Sequence, residues 1–281
     1  MALSHGRLRA VFLAACLAAC LAAMGPGAPG AALARGGATE VDVELVIAVD
    51  ISYSMDEEEQ RLQRRGYVEA LRSAEFHEAV RAGVHGKVAI LYLEWAGASD
   101  QRVVVDWTLI DGPERAHALA DKLAEAPTRR ARRTSISGAL EASLAAFEKN
   151  GFNGLRRVID VSGDGPNNEG RLVTIARDAV LAEGVVINGL PLVLNRPNYG
   201  WGDIQDLDVY YQDCVIGGQG AFMLPIRDRA QFVEATRTKL VMEVALGPVP
   251  APSPSVSFAQ ARAPRVSCTI GERMWNDRWG N

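Results

Sequence analysis

Short apolar segments typical of buried β-strands alternate along this chain with segments whose apolar residues recur at helical spacing. The pattern predicts strands at 43–50, 87–95, 101–107, 156–162, 185–190 and 221–226, and helices at 56–82, 113–125, 135–149, 170–183 and 228–243. Alternation of this kind favours a doubly wound α/β fold, with a mostly parallel sheet and helices on both faces. A hairpin turn at 98–100 adds one antiparallel edge strand.

The first strand ends in a group of oxygen-bearing side chains. Asp50, Ser52 and Ser54 follow the apolar run 43–49 at alternate positions, which an extended chain directs to one side. In an open α/β sheet, ligands bind at the carboxyl ends of the strands. Because ligand sets made only of oxygen suit a hard cation such as Mg²⁺, this segment is a candidate metal-binding loop. The alternative is an ordinary turn rich in serine and aspartate.

Two further loops with similar side chains are expected at the same edge of the sheet. The strand 156–162 runs into an acidic turn that contains Asp164, and Thr134 opens the apolar helix that precedes this strand. Within the strand, Asp160 is an acid at a buried position, where a carboxylate needs hydrogen-bond donors or a shifted pKa. We interpret Asp160 as a structural residue, with support of the metal site as the alternative.

The three loops together resemble a known metal site. The set D-x-S-x-S-M at 50–55, T-x-x-x-x-A-L at 134–140 and D-G at 164–165 resembles the metal-ion-dependent adhesion site (MIDAS) of von Willebrand factor A (VWA) domains. The sequences of 50–55, 158–168 and 213–218 also resemble those of a narrower bacterial group, the domain-of-unknown-function family numbered 1194. This resemblance extends over about residues 42 to 246. The resemblance implies a VWA-like fold.

The same resemblance implies a set of ligands and a use for the metal. Ser52, Ser54 and Thr134 would bind the cation through their hydroxyls, and Asp50 and Asp164 would bind it directly or through water. Mg²⁺ is the expected ion, with Mn²⁺ or Ca²⁺ as alternatives. In A domains, an Asp or Glu of a partner protein commonly fills the open coordination position. Two departures alter the rim of the site, since Gly163 stands where many A domains have Thr, and Arg133 where a Gly often precedes the metal-binding Thr.

The two ends of the chain differ in composition from its middle. Basic residues precede a short apolar stretch and a small-residue cleavage motif, so 1–34 is predicted to be a signal peptide. The motifs around Cys16 and Cys20 also resemble a lipoprotein signal, which would anchor the protein to a membrane. We assign 35–246 to a VWA-like domain and 247–281 to a proline-rich linker and tail. The net charge of −4 becomes more negative without the leader, which argues against nucleic acid as a partner.

Cleavage after Ala34 would leave Cys214 and Cys268 as the cysteines of the mature chain. Disulfides persist in exported proteins, so we predict a bridge between these two residues. The alternative is a pair of unrelated thiols. The expected location is the periplasm or the exterior of the cell, with lipid anchoring at Cys16 or Cys20 as the only route to a membrane.

A run of arginines leads directly into Thr134. It consists of Arg129, Arg130, Arg132 and Arg133 and is either a solvated loop or a clamp for an acidic partner. A segment rich in aromatic residues follows the fifth strand, and its aromatic side chains could be interface anchors or could pack beneath the loop. These are Tyr199, Trp201, Tyr210 and Tyr211.

We interpret the chain as an exported, Mg²⁺-dependent protein-binding module that captures an exposed Asp or Glu of a partner. An enzyme is not expected, because none of the four histidines lies near Asp50 or Asp164 in a nucleophile-and-base pattern. A phosphatase-like use of Asp50 lacks a recognisable Lys partner and remains the catalytic alternative. The other alternative is a structural domain with a vestigial metal site.

Overall fold

A seven-stranded sheet forms the centre of the computed structural model, in which residues 37–194, 204–245, 257–259 and 264–279 are described. Its strands are β1 (Thr39–Asp50), β2 (Val88–Trp95), β3 (Gln101–Ile110), β4 (Phe152–Gly163), β5 (Val186–Pro191), β6 (Phe222–Met223) and β7 (Ser257–Phe258). The order across the sheet is β3-β2-β1-β4-β5-β6-β7. All neighbours pair in parallel except β3 and β7, which form antiparallel edges. The predicted mostly parallel sheet with an antiparallel edge strand is therefore confirmed, and β7 is a further short strand at the opposite edge.

Helices cover both faces of the sheet. They are α1 (Glu57–Arg72), α2 (Ala74–Arg81), α3 (Pro113–Glu125), α4 (Ile136–Ala146), α5 (Val173–Ala182), α6 (Leu207–Tyr210), α7 (Phe232–Val244) and α8 (Ile270–Trp279). A π-helical turn, Tyr211–Val215, continues α6. Because β1 is buried on both sides, alternate residues enter two separate cores: Leu45 and Ile47 pack with α1, α2, α3 and α7, whereas Val46 and Ala48 pack with α4, α5 and the π-helical turn.

Several predicted elements differ in extent. The long helix predicted at 56–82 is two helices, because Ser73 is extended and its hydroxyl accepts a hydrogen bond from the backbone of Phe76 at the start of α2. The acids at the start of α1 act in capping, where Asp56 and Glu59 form a reciprocal capping box. The tail, for which no element was predicted, contains β7 and α8.

Other predictions fall outside the described residues. These are the signal peptide with Cys16 and Cys20, most of the proline-rich linker, and the aromatic residues Tyr199 and Trp201. Tyr210 and Tyr211 are fully buried in the core that contains Val46 and Ala48, so they are not exposed as interface anchors. Within the described ranges, no helix is long and apolar enough to span a bilayer.

A buried group of charges joins the centre of the sheet to α7. Asp160 on β4 accepts a hydrogen bond from Lys239 Nζ at 2.8 Å, and Lys239 also pairs with Glu243 one turn later. All three side chains are completely buried. Burial raises the pKa of Glu243 to about 7, while Lys239 opposes the increase. Asp160 is thus a partnered structural residue, and its lysine partner was not predicted.

Candidate metal site

The loops that follow β1 and β4 leave the sheet side by side. The two strands are parallel neighbours, and their register pairs Val49 with Ser162. Asp50 is the last residue of β1, and Asp164 comes directly after β4. Parallel pairing therefore brings the carboxylates of Asp50 and Asp164 together at the carboxyl ends of the strands. Ligands of open α/β sheets bind at this end.

Four of the five predicted ligands lie in one hydrogen-bonded cluster. The backbone N–H of Ser52 donates to Asp50 Oδ1 at 2.7 Å, and the hydroxyls of Ser52 and Ser54 are 2.7 Å apart. The Ser54 hydroxyl donates to Asp164 Oδ1 at 2.6 Å. The cluster thus contains two carboxylates and two hydroxyls from two loops.

Backbone hydrogen bonds hold the Thr134 loop against both of the other loops. The N–H of Ala131 donates to the carbonyl of Ile51 at 3.0 Å. The N–H of Asn168 donates to the carbonyl of Thr134 at 2.8 Å, and the N–H of Thr134 donates to Asn168 Oδ1 at 3.0 Å. Thr134 is itself buried. The fifth predicted ligand is therefore fixed beside the cluster by its main chain.

Asp50 is the electrostatic anomaly of the cluster. Its side chain is completely buried, and its Oδ2 atom has no hydrogen-bond partner among the described residues. Burial and, next, the charge of Asp164 raise the pKa of Asp50 well above its usual range. The burial of a charged carboxylate next to another negative charge is unfavourable. A cation at this position would relieve the repulsion and satisfy the unpartnered oxygen.

The donor set fits a hard divalent cation. Carboxylate and hydroxyl oxygens are ligands that Mg²⁺ accepts, and soft nitrogen or sulfur donors are missing from the cluster. Within the described part of the chain, no three His, Cys, Asp or Glu side chains come together as a metal site. The hydroxyls of Ser52 and Ser54 are further oxygen ligands that the cluster offers beside its two carboxylates.

Gly163, Tyr211 and Trp95 lie behind the cluster. A Cβ built on Gly163 would lie 2.9 Å from Asp50 Oδ2, 2.9 Å from the Tyr211 hydroxyl and 3.3 Å from the Trp95 ring. Burial raises the pKa of Tyr211 well above its usual value, and the charges of Asp50 and Asp164 raise it further. The sequence indicated Gly163 as a departure from the A-domain pattern but gave no reason to connect it with Tyr211.

The predicted arginine run is only partly free to meet a partner. Arg129 forms an ion pair with Asp100. Arg130 donates to the carbonyl of Tyr53 at 2.7 Å, and its guanidinium lies 5.2 Å from the centre of the Tyr53 ring. Arg130 and Arg132 are exposed at the surface. These two side chains, with the exposed Tyr53, form the accessible basic rim beside the cluster.

Arg133 has a structural role. Its backbone adopts the left-handed conformation, with a φ of 75°. The guanidinium lies 3.4 Å from the centre of the Trp275 ring, and Nε is 3.4 Å from a carboxylate oxygen of Glu169. A side chain in this conformation costs roughly 1–2 kcal/mol, which explains why glycine is common at such positions. The contacts with Trp275 and Glu169 offset that cost.

We expect replacement of Arg133 to separate the backbone effect from the side-chain effect. Arg133→Ala loses both contacts and keeps the strained backbone, whereas Arg133→Gly loses the same contacts and relieves the strain. The glycine variant should therefore be more stable than the alanine variant by about 1 kcal/mol, measured by urea unfolding. Equal stability of the two variants would mean that the left-handed conformation carries no cost here.

Helix α8 is attached to the loop that carries Asp164. Cys268, just before the helix, is joined to Cys214 by a disulfide bond. Asn167 Nδ2 donates to Glu272 Oε1 at 2.8 Å, and Gly271 packs against the Asn167 carbonyl, where a Cβ would approach to 2.1 Å. A cavity of about 430 Å³ lies between the helix and the loop, lined by Pro166, Asn168, Gly271, Met274, Trp275, Asp277, Arg278 and Trp279.

Asn167 connects this loop to the rest of the site. Its Oδ1 atom accepts from the backbone of Ser137 in α4 at 3.0 Å, and its own N–H donates to the Tyr210 hydroxyl at 3.2 Å. Asn167 is completely buried. One side chain thus contacts α4, α8 and the loop of Asp164, and the sequence pattern alone did not single it out.

Comparison with known proteins gives a family and a fold. A family described as "Protein of unknown function (DUF1194)" matches residues 40–247. No curated protein matches the chain. Among solved structures, proximal thread matrix protein 1 from the mussel byssus is similar to this chain, with 14% sequence identity and a TM-score of 0.54. The match includes 74% of this chain and 49% of the mussel protein. Another structure of that protein, at 13% identity and a TM-score of 0.50, is described as having a zinc-occupied MIDAS motif; 73% of this chain covers 46% of it.

Two bacterial structures are also similar. A von Willebrand factor type A protein from Catenulispora acidiphila is 14% identical with a TM-score of 0.50, and 73% of this chain covers 43% of it. The pilus adhesin SpaC from Lactobacillus rhamnosus GG is 11% identical with a TM-score of 0.54, and 74% of this chain covers 31% of it. The chain spans about half the length of these structures or less. At these identities the similarity establishes a shared fold.

Proposed function

Because the chain belongs to the DUF1194 family and has the von Willebrand factor A fold, we propose that it is a metal-dependent protein-binding module rather than an enzyme. A divalent cation, Mg²⁺ in the first instance, would be held by oxygen atoms of the site and would capture an acidic group of a partner protein. The residues that would hold it are Asp50, Ser52, Ser54, Thr134 and Asp164.

The observation that carries this proposal is the buried, unpartnered Oδ2 atom of Asp50 beside a second carboxylate. The zinc-occupied MIDAS motif of the mussel protein supports the use of a divalent metal on this fold, and the pilus adhesin supports a role in protein binding. A cation held largely by neutral hydroxyls retains much of its positive charge. Such a cation attracts an external carboxylate strongly.

The surface beside the site supports an acidic partner. Arg130 and Arg132 are exposed, and the side chain of Tyr53 is exposed next to them. Guanidinium groups bind carboxylates through paired hydrogen bonds and accelerate the association of oppositely charged proteins. Arg129 and Arg133 form ion pairs with acidic side chains of the chain, so we assign steering to Arg130 and Arg132.

We further propose that the protein works outside the cytoplasm. In this view, 1–34 is a leader, 35–246 is the binding domain, and 247–281 is a linker and tail. The disulfide between Cys214 and Cys268 supports an oxidising environment, where such bonds persist. Attachment to a membrane would require lipidation at Cys16 or Cys20.

Asp50→Asn should abolish the response of the protein to Mg²⁺. For the wild type, Mg²⁺ at a hundred times its Kd should stabilise the folded state by roughly 2.7 kcal/mol and raise the Tm accordingly. The variant keeps the oxygen that accepts from Ser52 but loses the charge. Without metal it should be at least as stable as the wild type, because the repulsion between Asp50 and Asp164 is removed. Thermal unfolding with and without Mg²⁺ measures both effects.

Asp42→Asn is the matched control. Asp42 is a buried acid at the opposite end of β1, where it accepts hydrogen bonds from the backbone of His85 and Lys87. This variant should lose stability yet keep the full Mg²⁺ response. The wild type and Asp42→Asn, immobilised and exposed to extracts of the cell envelope, should retain a partner in Mg²⁺ and release it in chelator, whereas Asp50→Asn should retain none. A wild type that does not respond to Mg²⁺ would favour a structural domain with a vestigial site instead.

A further inference from the structure

The π-helical turn places the buried phenol of Tyr211 over β5 and β4, on the side of the proposed metal site. The Ile216 N–H donates to the Tyr211 carbonyl at 2.9 Å, which closes the wide turn. Such turns are rare and occur often at functional sites. The Tyr211 side chain is completely buried, and its hydroxyl has no partner among the described residues. A buried hydroxyl without a partner is unfavourable and calls for a specific explanation.

Two glycines on adjacent strands make room for this side chain. A Cβ on Gly189 of β5 would lie 2.8 Å from Tyr211 Cδ1, and a Cβ on Gly163 of β4 would lie 2.9 Å from the Tyr211 hydroxyl. The strands are parallel neighbours, with Gly189 paired to Val161. A larger residue at either glycine would collide with the ring or the hydroxyl. The ring therefore lies against Gly189 of β5, and its hydroxyl reaches Gly163 of β4.

The Tyr211 hydroxyl and the unpartnered oxygen of Asp50 both approach Gly163, although they are not hydrogen-bonded to each other in this structure. A Cβ built on Gly163 would lie 2.9 Å from Asp50 Oδ2 and 2.9 Å from the Tyr211 hydroxyl. A phenol can donate a hydrogen bond, and a carboxylate oxygen can accept one. The two atoms without partners are thus complementary in chemistry and converge on one position.

We propose that Tyr211 is a positioning residue of the metal site, whose hydroxyl donates a hydrogen bond on the Oδ2 side of Asp50 when the cation is bound. This inference rests on the proposed metal-binding function and adds a residue from outside the three loops. The hydrogen bond would fix the orientation of the Asp50 carboxylate. Partners of this kind, which orient a metal ligand, commonly change metal affinity by about tenfold or more.

The test compares Tyr211→Phe with Tyr67→Phe in the full-length oxidised protein. Tyr67 is also completely buried, but it belongs to α1 and its ring packs against Tyr92 in the other core. Titration calorimetry with Mg²⁺ should give a Kd about tenfold weaker for Tyr211→Phe and unchanged for Tyr67→Phe. Without metal, Tyr211→Phe should be as stable as the wild type, because the hydroxyl that is removed has no partner.

A second readout separates positioning from a purely structural role. Addition of Mg²⁺ to the wild type should perturb the ultraviolet absorption of a tyrosine, and this difference spectrum should be missing in Tyr211→Phe but present in Tyr67→Phe. Equal Kd values for the wild type and Tyr211→Phe would overturn the inference and leave the proposed function intact. If the wild type itself binds no Mg²⁺, both the proposed function and the inference fail.

Discussion

Replacement of Lys239 by methionine should lower the free energy of unfolding by about 3–5 kcal/mol. Lys239 is the counter-ion of Asp160 and Glu243, and all three side chains are completely buried. The variant leaves the two buried carboxylates without the ammonium group that pairs with both of them. Although burial opposes it, the attraction of Asp160 and then Glu243 raises the pKa of Lys239 above its usual value, so the lysine is charged in the folded protein. Urea unfolding at pH 7 measures the loss.

A surface pair on the same helix provides the control. Arg237 pairs with Glu234 and lies 3.8 Å from Glu75, in positions that are largely exposed. Arg237→Met should therefore cost less than about 1 kcal/mol. A cost below about 1 kcal/mol for Lys239→Met as well would show that the buried charges do not depend on one another.

The pH dependence gives an independent check on the same group. Because the folded-state pKa of Glu243 is raised from 4.5 to about 7, its contribution to stability is present below pH 4.5 and is lost as the pH rises through about 7. The loss caused by Lys239→Met should accordingly shrink in acid, where Glu243 is protonated. Unfolding curves measured across this range, with and without the substitution, distinguish a charge effect from a packing effect.

Loss of the disulfide should have an effect of similar size. The bond between Cys214 and Cys268 spans 54 residues of chain, and closure of a loop of that length in the unfolded state is worth about 4 kcal/mol. Cys268→Ser should lower the free energy of unfolding by up to that amount. The variant should also release α8. Without the disulfide, the helix contacts the site loops only through noncovalent interactions such as those with Asn167 and Arg133.

Intrinsic tryptophan fluorescence and limited proteolysis report on the release of α8. Trp275 would leave the guanidinium of Arg133, and the tail would become accessible to protease. The wild type treated with reductant should behave like Cys268→Ser, whereas reductant should leave the variant unchanged. A helix that stays protected after reduction would show that noncovalent contacts alone hold it in place.

The sequence predicts that the loops after β1 and β4 lie next to each other, because the information that determines their position is local. Asp50, Ser52 and Ser54 follow an apolar strand directly, and alternation along the strand assigns their direction. Asp164 follows a second strand of the same kind, so parallel pairing is enough to bring it to Asp50. Local signals also predict the antiparallel hairpin that β2 and β3 form.

The remaining features depend on contacts between residues that are distant in sequence. Lys239 and Asp160 are 79 residues apart, and nothing in a helical pattern reveals that a lysine will be buried against a strand. Tyr211 is positioned by two glycines on other elements, which a one-dimensional pattern cannot relate to it. Ser73 shows a different limit: a hydroxyl that caps the next helix divides one periodic segment into two.

The position of Asn167 has a consequence for how events at one part of the protein are felt at another. This residue belongs to the loop of Asp164 and hydrogen-bonds to Glu272 of α8, so the state of the helix and the occupancy of the proposed cation site would share an interaction free energy. Thermodynamic linkage makes such a coupling reciprocal. A change that favours release of the helix must lower the affinity for the cation. The factor is the same as the one by which the bound cation favours the docked helix. A ligand that docks on α8 would thereby act as an effector of a site that it does not touch.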